Sequence, residues 1–243
     1  MTEHHDGTPF GYTNWEAGQP NGGNQPRNLG IDVCATGLLW HDYPTSESKT
    51  MDIEDRRRYF IVGSVFLEVV QPLFRTRLEN DYTSKGLGSF QDFLNTQQVI
   101  HILFHLRHRN AKCCKDISNC VNNSKLPLMY CQWNLLYTEN PGQPGHNCHC
   151  KFTANPVQLK ELDITLAGLI LLNCCNLGST EKNAVLILRR YKNEYLSHNT
   201  QGAIIETEYK SLWTDLISFV QQLDPNKQDD LMRIENRPLD EGL

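Results

Sequence analysis

The sequence predicts a mainly α protein, an antiparallel helical bundle over residues 51–225, preceded by an incomplete loop and β segment over 1–50 and followed by a charged tail, 226–243. Two observations carry that expectation. From Asp52 onward, apolar residues recur at three- and four-residue steps, the repeat of helices that bury one face. Before Met51 the chain is rich in Gly, Pro, Asn and Thr with short apolar pieces, which suits loops and short strands, and it has no helical periodicity.

The helices follow in order. Tyr59, Phe60, Val62, Phe66, Val69, Val70, Leu73 and Phe74 trace a long helix with a kink expected at Pro72, because proline lacks a backbone N–H. Phe90, Phe93, Leu94, Ile100, His101 and Phe104 share one face of a second, and Leu126 to Tyr137 is a shorter third. Pro156 suits the first turn of a helix capped by Asn155 and running through Leu159, Leu162, Leu166, Leu169 and Ile170. Ser179 or Thr180 caps the next, which runs towards His198. The last places Ile205, Tyr209, Leu212, Trp213, Leu216, Val220 and Leu223 on one stripe before Pro225, and the tail from Asn226 is expected to fray.

Composition narrows the function classes. A formal net charge of -5 argues against a protein that coats nucleic acid through bulk electrostatics, so any such contact is local, at Arg56 to Arg58, His105 to Lys115 or Arg189 to Lys192. The start of the chain shows no apolar signal region, and the longest apolar run, Ile164 to Leu172, falls short of the roughly 20 residues that span a bilayer. The expectation is a cytoplasmic protein with no membrane span.

Oxygen-bearing side chains are spaced to hold a cation in residues 10–42, at Gln19-Pro20-Asn21, at Asp32 two residues before Cys34, and at Trp40-His41-Asp42. A hard cation such as calcium takes six to eight oxygen ligands from such loops. These motifs resemble the C-terminal part of a C-type lectin domain. The resemblance implies a carbohydrate and calcium site on Gln19, Asn21, Asp32 and Asp42, with a glycan as partner. It departs from the family at His41, which stands where the family has an ion-binding Asn. The tripeptide mixes the mannose-type and galactose-type patterns. The family's closing cysteine is missing from Tyr43 to Thr50.

The helical region contains Leu162-Asp-Ile-Thr-Leu-Ala-Gly-Leu-Ile-Leu-Leu-Asn173, then Leu188-Arg-Arg-Tyr-Lys-Asn-Glu-Tyr-Leu-Ser-His198, then an aromatic final helix through Trp213. Residues 52–224 thereby resemble a HEPN domain, of the type found in the DAZ-interacting zinc-finger ubiquitin ligase and in invertebrate immune proteins. The resemblance implies association with RNA or a protein partner, homodimerisation through these helices, and a place in innate immune signalling. Catalytic members of that superfamily cut RNA without metal, through an Arg and a His four to six residues on. The matching positions here are Lys192 and His198, with Asn193 as the polar neighbour, so Lys replaces Arg and the planar bidentate fork is lost. The expectation is a nonenzymatic modular protein, with a calcium-dependent carbohydrate-binding protein as one alternative and a metal-independent RNase, using Lys192, Asn193 and His198, as another.

A third feature is a run of thiols and imidazoles between helices: Cys113, Cys114, Cys120, Cys131, and His146-Asn-Cys148-His149-Cys150. Without a secretory signal these read as reduced thiols or metal ligands. Zinc takes four sulfur or nitrogen ligands in a tetrahedron, and Cys120, Cys131, Cys148 and Cys150 are the candidate set. His101, His105 and His108 sit at helical spacing and read as a packed or solvated face.

Overall fold

The computed structural model describes residues 27–34, 37–44, 52–108, 111–113, 120, 126–140 and 148–238. The chain divides into two units, Met1–Met51 and Asp52–Leu243.

The first unit contains an antiparallel pair, β1 (Arg27–Cys34) and β2 (Gly37–Pro44). In the sequence of β1, Leu29, Ile31 and Val33 alternate with other residues at the period of a strand, whereas β2 carries Leu38, Leu39 and Trp40 in succession. Leu29, Ile31 and Val33 stand opposite Asp42, Trp40 and Leu38 in the register. In that register Asp32 pairs with Leu39 and Asp42 with Leu29. Gln19 and Asn21 lie outside the described residues.

The second unit is mainly helical. Helix α1 (Ile53–Val65) starts at Asp52, whose carboxylate accepts from the Glu54 N–H at 3.2 Å. It continues through a π-helical turn, Phe66–Val70, into α2 (Gln71–Ser84). The irregularity expected at Pro72 takes the form of this wider turn. Proline has no N–H to offer the Glu68 carbonyl, and the Gln71 N–H reaches back to Phe66 instead. Two residues past the end of α2, Gly86 takes a positive φ of 75° and donates to the Thr83 carbonyl at 2.9 Å.

The single helix expected from Phe90 to Phe104 is two: α3 (Phe90–Leu94) and α4 (Gln97–Arg107). Thr96 leaves helical geometry between them, so α4 is free to take its own direction. Helix α5 (Tyr130–Leu136) leads into β3 (Tyr137–Glu139), which pairs with β4 (Phe152–Ala154), a small antiparallel sheet that the apolar pattern did not announce. The helix expected to begin at Pro156 begins later, as α6 (Ile164–Cys174), after a 3₁₀ turn at Leu159–Glu161. Asp163 caps it, accepting from the Leu166 N–H at 2.6 Å. Asn155 instead donates to the carbonyls of Asn134 and Leu135 and fixes the exit of α5.

Helix α6 is apolar nearly all round, and it packs against α2, α4 and α7 (Ser179–Tyr191) as the centre of the unit. Its close approach to α7 depends on Gly168, where a Cβ would lie 2.4 Å from Cδ of Arg189 and 3.0 Å from Cε2 of Phe74. Helix α7 is capped at Gly178, whose N–H donates to the Glu181 carboxylate, rather than at Ser179 or Thr180. A π-helical turn, Lys192–Ser197, extends it. Helix α8 (Glu206–Leu223) buries Leu212, Trp213, Leu216, Val220 and Leu223 of the stripe read from the sequence, while Tyr209 is half-buried and Ile205, just before the helix, is exposed. The tail expected to fray forms α9 (Gln228–Glu235), because Leu231 and Ile234 are buried in the core. No described helix is long and apolar enough to cross a membrane.

Candidate metal centre

Helix α4 places His101 and His105 one turn apart on the same face, with ring centroids 4.7 Å apart. Both are buried, at 8% and 3% exposure. The chain then brings Cys113 back beneath them, where its Sγ lies 3.2 Å from Nε2 of His105. Cys120 approaches from the other side, accepting the Cys113 backbone N–H at 3.3 Å.

A second arm arrives from the β3–β4 sheet. The turn before β4 carries Cys148 and His149, and it is held by Lys151 N–H to the Cys148 carbonyl at 3.2 Å and Asn140 N–H to the Lys151 carbonyl at 2.7 Å. Asn95 and Gln91 then tie Ala154 to the α3–α4 junction. His149 thereby sits with Nδ1 3.1 Å from Cys113 Sγ and 3.6 Å from Cys148 Sγ, its Nε2 against the Gln97 side-chain amide. An aromatic layer of Phe104, Trp133 and Phe152 closes over the site, and Phe104 also stacks on His108 at 4.3 Å.

These side chains form two groups in which the donor atoms all lie within 4.8 Å of one another: His101, His105, Cys113 and Cys120, and Cys113, Cys148 and His149. The first group is a complete set of four nitrogen and sulfur donors. The structure thus contains a buried His/Cys cluster of a composition that can hold a metal ion.

Electrostatics agree with that composition. Burial pushes the His105 imidazole below its ordinary range, helped by His101, His149 and His108, so the ring is held in the neutral form that ligates metals. Burial pushes the Cys113 thiol up, reinforced by its hydrogen bond with Cys120 and by Cys148. A thiolate in that position therefore needs a cation beside it.

The ligand set read from the sequence is corrected in part. Cys120 and Cys148 belong to the cluster, whereas Cys131 is disulfide-bonded and offers no thiolate. That bond also corrects the expectation of reduced thiols at this position. Cys150 is half-buried against the core and stands outside both groups. His101 and His105, read as a packed or solvated face, are cluster members, while His108 does serve packing. The sequence signal that would have found the pair was their four-residue spacing on a helix followed by cysteines.

The other candidates lie elsewhere. Lys192 donates to Ser197 Oγ at 2.7 Å within its own π turn, and His198 is exposed at the end of that turn, its N–H bonded to the Asn193 carbonyl at 2.8 Å. Among the calcium candidates, Asp32 lies in β1 and Asp42 in β2, and Gln19 and Asn21 lie outside the described residues.

Fold and cluster together define a mainly helical unit with a His/Cys centre in its core. No family model matches the chain, and neither the curated proteins nor the solved structures include a match.

Proposed function

We propose that the helical unit is a nonenzymatic, HEPN-like module that associates with RNA or a protein partner, and that a zinc ion bound at the His/Cys cluster holds it together. Among zinc, calcium and magnesium, the donor set favours zinc, since thiolate and imidazole suit a borderline-soft cation and hard cations take oxygen. The observation that carries the zinc reading is the closed group of His101, His105, Cys113 and Cys120, with the three members from α4 to Cys113 buried. Four protein donors complete a tetrahedron and leave no position for substrate, which is the pattern of a structural site.

The nonenzymatic reading is supported by Lys192. Its ammonium is engaged by Ser197 in its own turn, and a lysine there supplies a point charge without the fork that steadies a phosphoryl transition state. Partner binding is assigned to the outer surface, where Ile53, Phe60 and Leu67 recur at seven-residue steps and stay exposed at 80%, 50% and 65%.

Three experiments test this. Metal analysis of the purified chain is expected to show zinc, and protein that folds fully without any metal overturns the zinc reading. Incubation with single-stranded RNA is expected to show no cleavage. Cleavage abolished by His198→Ala overturns the nonenzymatic reading, and a monomer that crosslinks to neither RNA nor protein overturns the association reading.

A further inference from the structure

We propose that Cys113, Cys148 and His149 form a second metal position, and that the Cys113 thiolate bridges it to the ion held by His101, His105 and Cys120. The inference rests on the zinc reading above and extends it to a two-ion centre. Among the described residues six donors converge here, more than a tetrahedron uses, and the two groups have only Cys113 in common. A thiolate sulfur has lone pairs enough to serve two ions, which the nitrogen of an imidazole does not.

The second group is close to the dimensions of a ligand set. Donors around tetrahedral zinc stand about 3.3–3.8 Å from one another, given bonds of about 2.0–2.3 Å. Cys148 Sγ lies within that range, 3.6 Å from Nδ1 of His149, and Cys113 Sγ, at 3.1 Å, lies just short of it and would move outward by a few tenths of an ångström on loading. All three residues are 1% exposed.

The other nitrogen of His149 is also provided for. Nε2 faces the side-chain amide of Gln97, whose oxygen and nitrogen have the same shape. With the oxygen towards the ring, Gln97 accepts from Nε2–H, and the lone pair of Nδ1 is left directed at the two sulfurs. Metal-ligating histidines are commonly fixed by such a partner on the far nitrogen.

Charge balance defines what else the second ion holds. Two dications against the thiolates of Cys113, Cys120 and Cys148 leave one positive charge, and a buried net charge is costly. A hydroxide in the fourth position of the second ion neutralises it, since the second group has three protein donors among the described residues. On loading, the three thiols and a water each release a proton to solvent, and no redox change occurs.

The test is to load the full chain with Zn2+ under nitrogen, dialyse it against a weak chelator and measure zinc per chain. Two equivalents are expected in the wild type, one in Cys148→Ser and in His149→Gln, and none in Cys113→Ser. A wild type with one equivalent, kept in Cys148→Ser, overturns the second position while leaving the zinc reading intact; His149 is then a hydrogen-bond donor to a singly ligated Cys113. One equivalent lost in Cys148→Ser also overturns the two-ion centre, by assigning a single ion with mixed donors. No zinc in the wild type overturns both readings. Should the variants fail to fold, Co2+ titration of the wild type decides, with thiolate charge-transfer absorbance expected to rise to two equivalents and a plateau at one counting against the proposal.

Discussion

The α4 face and the π turn after α7 both gather nitrogen-bearing side chains, and they treat them in opposite ways. At the first, His101, His105 and His149 are buried with cysteines, and the imidazoles and thiols have one another as neighbours. At the second, Lys192 finds a hydroxyl in its own turn and His198 stays exposed. Burying a polar group costs several kcal/mol unless a partner compensates it, and the buried donors described here have one another, and Gln97, as partners. An exposed cation needs no such compensation. The contrast places the structural demand at the cluster and leaves the π turn open to change.

The largest expected effect breaks the comparison at the cluster. Zinc removal with a strong chelator should lower the midpoint of thermal unfolding by roughly 10 °C or more, because metal binding is coupled to folding. A chelator-insensitive melt would place the cluster on the same footing as the π turn. Next in size is the aromatic cover: Trp133, 2% exposed, packs on Phe104, Phe152 and Tyr137, and Trp133→Ala should cost about 3–5 kcal/mol in denaturant unfolding.

Smaller effects are expected away from both sites. Asp163→Ala removes the cap of α6 and should cost about 1 kcal/mol, rescued by Asp163→Asn. At the surface, Arg237 pairs with both carboxylate oxygens of Glu68 at 2.7 Å, and Arg237→Ala should move the melt by no more than about 2 °C. The pair also has a pH signature. The hydrogen bond from Arg237 holds the Glu68 carboxyl below its ordinary value, so its stabilisation is present above the ordinary glutamate range and is lost as pH falls through the lowered one. At the π turn, Lys192→Ala and His198→Ala should leave the melt almost unmoved, within about 2 °C, against the collapse expected on metal removal.

The helical character of residues 52–224 and the α8 stripe were legible because they depend on period alone. Boundaries were harder where several local signals compete. Asn155 and Pro156 have the chemistry of a helix start, yet Asn155 is used across chain to close α5, and Asp163 takes the capping role. The β3–β4 sheet escaped notice because each strand is three residues long, too short for an alternating pattern to emerge. At the cluster, cysteine and histidine composition pointed to Cys120 and Cys148 but not to His101, His105, Cys113 and His149 beside them. Cys131 and Cys148 look alike in sequence; only the path of the chain sends one to a disulfide and the other to the histidines. The α9 helix was missed because two apolar residues in a charged tail, Leu231 and Ile234, carry its attachment.

The doublet Cys174-Cys175 closes α6 with two buried thiols that form no disulfide. Burial pushes the Cys174 thiol up to about 12 and the Cys175 thiol higher still, with Asp81 adding to the shift at Cys175. The thiolate is the reacting species, so at neutral pH these sulfurs are silent towards alkylating reagents while the core is closed. Their labelling rate becomes a clock for the opening of α6, one that runs independently of the sulfurs of the His/Cys cluster and needs no added probe.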